Sequence, residues 1–368
     1  MANPLQELAA HGQSVWYDNI SRTVLGDGSL AALVRDGEVR GVTSNPAIFE
    51  KAIGGSDAYD ADIRRLKAAG RSAEQIYDEL AIGDIRAGAD LLRPVWDATR
   101  GGDGYISLEV SPRLADDAEA TVADAVRLHA AVDRPNLMIK IPATEAGWRA
   151  IEECIARGLS INVTMMFALR HYDGVAEAYM RGLERRIAAG QDISGIRSVA
   201  SVFVSRFDTL VDRLLEGRGA AGRALRGKAA LANARLTYAR FRETFAGPRW
   251  QAIAARGGHL QRPLWASTST KNPEYRDVLY AEELIGPETV DTMPPQTLVA
   301  FRDHGRVART VDQGLPEARA TVEALRSEGI DLEQVGEQLQ REGIAAFSSA
   351  FAKMLEELGA KASALTAD

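Results

Sequence analysis

Three observations predict an α/β protein built on a closed parallel barrel of eight strands, a (β/α)8 or TIM barrel. Eight short apolar or alternating runs are nearly all separated by helical segments, and that alternation argues for a parallel sheet. A chain of 368 residues, 46% of them hydrophobic, can bury the core this requires. Finally, the strands place polar residues on one face, at or near their C-terminal ends, where a barrel of this kind assembles its reactive groups.

In chain order, residues 3–12 predict a short helix that leads into the first strand, Ser14 to Asp18, which ends in an acid. Gly26-Asp-Gly28 turns the chain into a helix through Leu30–Arg35. Val39 to Ser44 is the second strand, closed by Asn45-Pro46. Residues 57–98 carry two or three amphipathic helices and no clear strand, a helical insertion in the regular pattern. Tyr105 to Val110 alternates strictly and is the third strand, followed by a helix over Ala115–Val132. Asn136 to Thr144 is an apolar run around Lys140, bounded by Pro135 and Pro142, and is the fourth strand. Thr144 and Glu145 supply the cap and first-turn acid of the next helix. Ser160–Thr164 and Ile196–Phe203 are strands flanking a helix over Ala168–Ala188. A long helical region runs from Phe207 to about residue 254. Leu264–Ser267 and Thr289–Thr292 are the last strands, followed by helices at Glu274–Leu284 and Pro295–Asp303 respectively. The tail from Leu315 to Leu365 is helical and is expected to pack on the outside, with covering the barrel mouth and mediating dimerisation both left open. With no repeat, linker or composition break, residues 1–368 are expected to form one catalytic domain.

The net charge of −7 argues against a general nucleic-acid or membrane-surface binder. One cysteine, Cys154, excludes an intramolecular disulfide framework and suits a reducing cytoplasm. The N-terminus lacks the basic and apolar regions of a signal peptide, and no apolar run is long enough to span a bilayer. The five histidines are scattered without helical pairing, so no metal site is readable and no cofactor is called for. Gly222 to Ala229 matches G-x-x-x-x-G-K but lacks the following Ser or Thr and a preceding strand, and is read as an interhelix linker.

Lys140 is the centre of the functional reading. Side chains alternate along a strand, so Asn136, Met138 and Lys140 share one face and Leu137, Ile139 and Ile141 the other. Burial disfavours the charged form of an amine, and a neutral amine is what attacks a carbonyl to form a Schiff base. The plainer alternative is a lysine with a buried stem and a paired charge. The other strands weigh against it. By the same alternation Asp18, Asn45, Glu109, Asn162, Thr164, Ser201 with Phe203, and Ser267 with Trp265 are expected to face the same barrel mouth as Lys140. Each has an ordinary reading too: a turn residue for Asn45, a cap for Asp18, small barrel fillers for Ser201 and Ser267, a β-former for Thr164, an ion-pair partner for Glu109. Their common facing carries the argument. A lysine iminium is an electron sink for carbon–carbon cleavage, and two carboxylates in different surroundings supply acid and base. Asp18 is assigned the hydroxyl proton beside the breaking bond, and Glu109 the dehydration step through a water. Arg206 at a helix start and Lys271 in a hydroxyl-rich loop suggest a phosphorylated substrate.

The motifs Val-Thr-Ser-Asn45-Pro, Ile-Ser-Leu-Glu109-Val, Ile-Lys140-Ile-Pro-Ala-Thr, Asn162-Val-Thr164 and Ser201-Val-Phe-Val-Ser-Arg206 resemble the transaldolase family, in order and over essentially the whole chain. The resemblance implies a (β/α)8 barrel that moves a dihydroxyacetone unit between sugar phosphates, from sedoheptulose 7-phosphate to glyceraldehyde 3-phosphate, through a Schiff base on Lys140. It implies Asp18 as acid/base, Glu109 with Thr164 as a water-holding pair, and Asn45, Asn162 and Ser201 on substrate hydroxyls. Arg206 and Ser267 would meet the phosphate. Many members carry Ala-Ser-Phe-Arg-Asn where this chain reads Ala266-Ser-Thr-Ser-Thr-Lys-Asn272, and Lys271 is the substitute for the missing arginine. The insertion and tail resemble the longer bacterial branch. An aldolase releasing free dihydroxyacetone, a glycosidase using Asp18 and Glu109, and an inactive sugar-phosphate-binding barrel are the alternatives. Monomer and homodimer both stay open.

Overall fold

Eight parallel strands pair in sequence order, and the last returns to the first: β1 (Gln13–Tyr17), β2 (Gly41–Val42), β3 (Ile106–Glu109), β4 (Leu137–Pro142), β5 (Ile161–Met166), β6 (Ser198–Phe203), β7 (Gln261–Ala266) and β8 (Thr289–Met293). The structure is a computed structural model and describes residues 3–365, so residues 1–2 and 366–368 of the expected single domain lie outside it. Closure runs over five paired residues between β1 and β8, and Gln13 Nε2 reinforces it by donating to Leu284 O and Thr289 Oγ1.

The outward faces of the central strands, Ile106, Leu137, Ile139, Ile141, Ile161 and Val163, are fully buried under the helical layer. This is the two-faced burial that near-continuous apolar strands require. Inside the barrel floor, Trp16 is fully buried and its Nε1 donates to Asp103 Oδ1 at 3.0 Å. Gly41, its register partner on β2, leaves the room: a Cβ there would sit 2.5 Å from the indole. Cys154 is buried, and burial pushes its thiol up to about 12.

The insertion contains helices Asp60–Ala68 and Ala73–Ala98, preceded by Pro46–Gly54, with no strand between them. Several boundaries shift by a few residues, β7 for one starting at Gln261 rather than Leu264, and the long helical region from Phe207 is broken into four helices. Three elements differ further. β2 is assigned only at Gly41–Val42, although backbone bonds at Arg40 and Thr43 continue its pairing with β1. The helix expected over Glu274–Leu284 covers only Leu279–Glu283, because Tyr275 donates to Asp212 and Asn272 Oδ1 accepts from Glu274 N, tying the preceding segment into a loop. The tail is helical at Leu315–Ser327 and Leu332–Ala364, and of the two roles left open for it the last helix takes the one at the mouth. It crosses the barrel mouth: Gly343 lies against Met165 and Arg206, and Phe347 lines the central cavity. No helix among the described residues is long and apolar enough to cross a membrane.

Candidate active site

Parallel register brings three site residues to one level. Glu109 on β3 pairs with Lys140 on β4, and Lys140 pairs with Asn162 on β5. Lys140 is 5% exposed, its Nζ lying 3.2 Å from Glu109 Oε2 and donating to Ser44 O at 3.1 Å. The sequence reading places Glu109 beside the amine. The structure gives it that carboxylate and a backbone carbonyl, and a carboxylate within reach can accept a proton from the nitrogen as it attacks a ketone. Desolvation holds the Glu109 carboxyl above its ordinary range, and the nearby Asp18 charge adds to this while Lys140 opposes it. An acid raised in this way takes up a proton more readily than an exposed carboxyl does.

Asp18 follows β1 directly. Desolvation also holds its carboxyl above the usual range, against the charge of Lys140 and a hydrogen bond from Thr43. Thr43 Oγ1 donates to Asp18 Oδ1 at 2.7 Å and lies 2.6 Å from Thr292 Oγ1, so this hydroxyl pair fixes the acid across β1, β2 and β8. Below Lys140, Asn162 Nδ2 donates to Ser107 Oγ at 2.9 Å and Ser201 Oγ donates to Asn162 Oδ1 at 2.7 Å, a buried network spanning β3, β5 and β6.

A cavity of about 600 Å³ opens above this floor, lined by Asp18, Asn45, Lys140, Ser201, Phe203, Arg206, Ser267 and Lys271 among the expected residues. Glu109, Asn162 and Thr164 do not line it. Glu109 stands beside the lysine, Asn162 is enclosed by its two serines, and Thr164 Oγ1 is a buried atom with no hydrogen-bond partner among the described residues. Asn45 also caps helix Pro46–Gly54, its Oδ1 accepting from Ile48 N at 3.0 Å. The facing of Trp265 is corrected. Ala266 lines the cavity, so alternation turns the fully buried Trp265 to the outer face. Ser267 reaches the cavity because its backbone is left-handed, φ 57°, and its Oγ lies 2.9 Å from Ser205 Oγ.

The far wall is cationic. Arg206, second residue of helix Ser205–Leu214, has its charge disfavoured by burial, and its guanidinium lies 5.6 Å from the centre of the Phe203 ring. Lys271 is lowered by burial and then by the charges of Arg206 and Lys51, and its Nζ donates to Ser269 Oγ at 2.6 Å. Lys51, on helix Pro46–Gly54, lines the same cavity. Sequence reasoning missed Lys51, Thr43, Ser44 and Phe347. Thr43 was within reach, because it shares the strand face of Asn45. Lys51 and Phe347 lie on helices whose approach to the cavity depends on the fold. Asp291, a buried acid pushed up to about 7 by desolvation, lies on β8 next to the cavity-lining Thr292 and so on the opposite face.

Comparison with known proteins agrees with this geometry. Residues 15–358 match the family model described as Transaldolase/Fructose-6-phosphate aldolase. The chain is 50% identical over 355 residues to a transaldolase of Acidothermus cellulolyticus, covering 96% of this chain and 95% of that one. It is 49% identical over 368 residues to a transaldolase of Thermobifida fusca, covering both chains completely. A transaldolase of Frankia alni is 50% identical over 357 residues, 96% of each chain.

Proposed function

The chain belongs to the transaldolase/fructose-6-phosphate aldolase family, and from that premise we propose that Lys140 is the amine on which its reaction runs. The enzyme is a transaldolase: it transfers a dihydroxyacetone unit from sedoheptulose 7-phosphate to glyceraldehyde 3-phosphate, giving erythrose 4-phosphate and fructose 6-phosphate through a lysine Schiff base. The reading of Lys140 rests on one observation, a buried lysine within 3.2 Å of Glu109 at the base of a cavity whose far wall is cationic.

Glu109 takes the lysine proton, and Nζ attacks the donor's C2 ketone. The carbinolamine hydroxyl leaves as water when Glu109 returns that proton, the water being held with Thr164, and an iminium remains. Asp18, ionised, accepts the C4 hydroxyl proton as the C3–C4 bond breaks. The aldose phosphate departs, and the bonding pair is stored as an enamine on Lys140. The acceptor aldehyde is then attacked by the enamine carbon while Asp18 gives the proton to its oxygen, and hydrolysis frees the ketose phosphate. Asn45 and Ser201 hold donor hydroxyls. Phe203 walls the cavity, and Asn162 acts from below by fixing Ser201. Arg206, Ser267 and Lys271 hold the phosphate, with Lys271 in place of the family's second arginine. Every side chain named comes from one chain, which fits a monomer or a homodimer. The single free cysteine fits a cytoplasmic site of action.

Borohydride reduction in the presence of fructose 6-phosphate tests the reading. The expected adduct maps to Lys140 and is absent from Lys140→Ala. An adduct that persists in that variant would overturn the assignment.

A further inference from the structure

The helix Leu332–Ala364 carries a stripe of residues spaced four, three, four and four apart: Gly336, Gln340, Gly343, Phe347 and Phe351. That spacing keeps all five on one helical face. Each meets a different part of the catalytic end. A Cβ on Gly336 would lie 2.6 Å from Ala168 Cβ. One on Gly343 would lie 2.9 Å from Met165 Sδ and 3.2 Å from Arg206 Nη1. Phe347 lines the substrate cavity, and Phe351 lies under the Arg113 guanidinium at 5.3 Å.

Gln340 is the polar member of the stripe. Only 8% exposed, it donates from the same Nε2 to Ala143 O at 2.9 Å and to Met165 O at 3.0 Å. Those carbonyls lie at the C-terminal ends of the two strands that carry the chemistry: Ala143 just past β4, three residues after Lys140, and Met165 within β5, directly after Thr164. Ala143 N already donates to Thr164 O at 2.8 Å, so the glutamine closes a ring over the tops of β4 and β5. Met165 is left-handed, φ 54°, without glycine's freedom to adopt that conformation, and it sits at an irregularity in the β5–β6 register. Such a backbone persists only when its surroundings hold it.

We propose that Gln340 is a positioning residue of the Schiff-base site, fixing Lys140 and Thr164 through the main chain, and that the last helix is therefore a working wall of the barrel mouth. The proposal rests on the assignment of Lys140 above. Gln340→Leu keeps most of the bulk of the side chain and removes both bonds. It is expected to lower kcat by about tenfold to a hundredfold, the range a small misplacement of reacting groups produces. KM for fructose 6-phosphate is expected to stay close to wild type, and the rate of borohydride trapping at Lys140 to fall in parallel with kcat. Leu339→Ala, a buried neighbour that ties no strand end, controls for loss of stability: it lowers the melting temperature and leaves kcat per folded molecule unchanged. A folded Gln340→Leu enzyme with wild-type kcat and trapping rate would sink the proposal, as would losses that merely follow stability as in Leu339→Ala. Failure of the wild-type protein to trap at Lys140 overturns the underlying assignment as well.

Discussion

The hydrogen bond from Thr43 to Asp18 sets where the acid works. Burial raises the Asp18 carboxyl, and Thr43 pulls it back down by favouring the charged form. Asp18 must be ionised to accept the substrate hydroxyl proton, so kcat/KM falls as pH drops through its raised value. Thr43→Val removes the donor and leaves the shape. The acidic limb of the kcat/KM profile is then expected to move to higher pH by about half a unit to one unit, the equivalent of one hydrogen bond. An unmoved limb would show that another group controls it. The contrast between Thr43 and Lys140 also shows what the sequence makes readable. Lys140, Glu109 and Ser201 lie in runs whose alternation alone fixes the face they share. Ser44 acts through its main-chain carbonyl, which leaves no mark in residue type. Ser267 violates the alternation by its left-handed φ of 57°, and residue pattern alone carries no sign of that turn.

At the scale of elements, the strands are legible because burial on both faces demands apolar runs, and their ends are punctuated by Gly, Pro and caps. Thr144 behaves as its type predicts: its Oγ1 accepts from Gly147 N at 2.8 Å and starts helix Glu145–Ala156. Loops governed by distant partners are not legible, as the Tyr275 to Asp212 bond shows by ending the expected helix early. Gly41 marks where one strand depends on another's side chain. Gly41→Ala drives a methyl into Trp16 and is expected to cost about 1–3 kcal/mol in urea unfolding, the usual penalty of overpacking. Gly26→Ala is the matched control, because nothing lies within 4 Å of the added carbon. Equal losses in the two variants would contradict the close approach.

Across the whole molecule, a net charge of −7 surrounds a cavity whose wall holds Lys51, Arg206 and Lys271. Many of the other cations are engaged in surface ion pairs, such as Arg134 with Asp90 and Arg249 with Glu177 and Glu184. A positive recess in a negative body attracts small phosphate esters and is screened by salt. KM for fructose 6-phosphate is expected to rise severalfold between about 0.05 and about 0.5 M sodium chloride, where the screening length shrinks from above roughly 10 Å to a few ångströms. Inorganic sulfate is expected to compete. A KM indifferent to both would mean that the cationic wall does not hold the phosphate. The global architecture was legible from the count and order of strands. The path of the last helix was not, since its stripe of Gly, Gln and Phe makes sense only against the loops it covers.

The buried thiol has a practical corollary. Cys154 is fully buried and its thiol held far from ionisation, so the native fold shields it from thiol reagents such as maleimides. A cysteine introduced at the exposed Val299 then becomes a unique handle for a dye or a surface tether, with no background label to subtract.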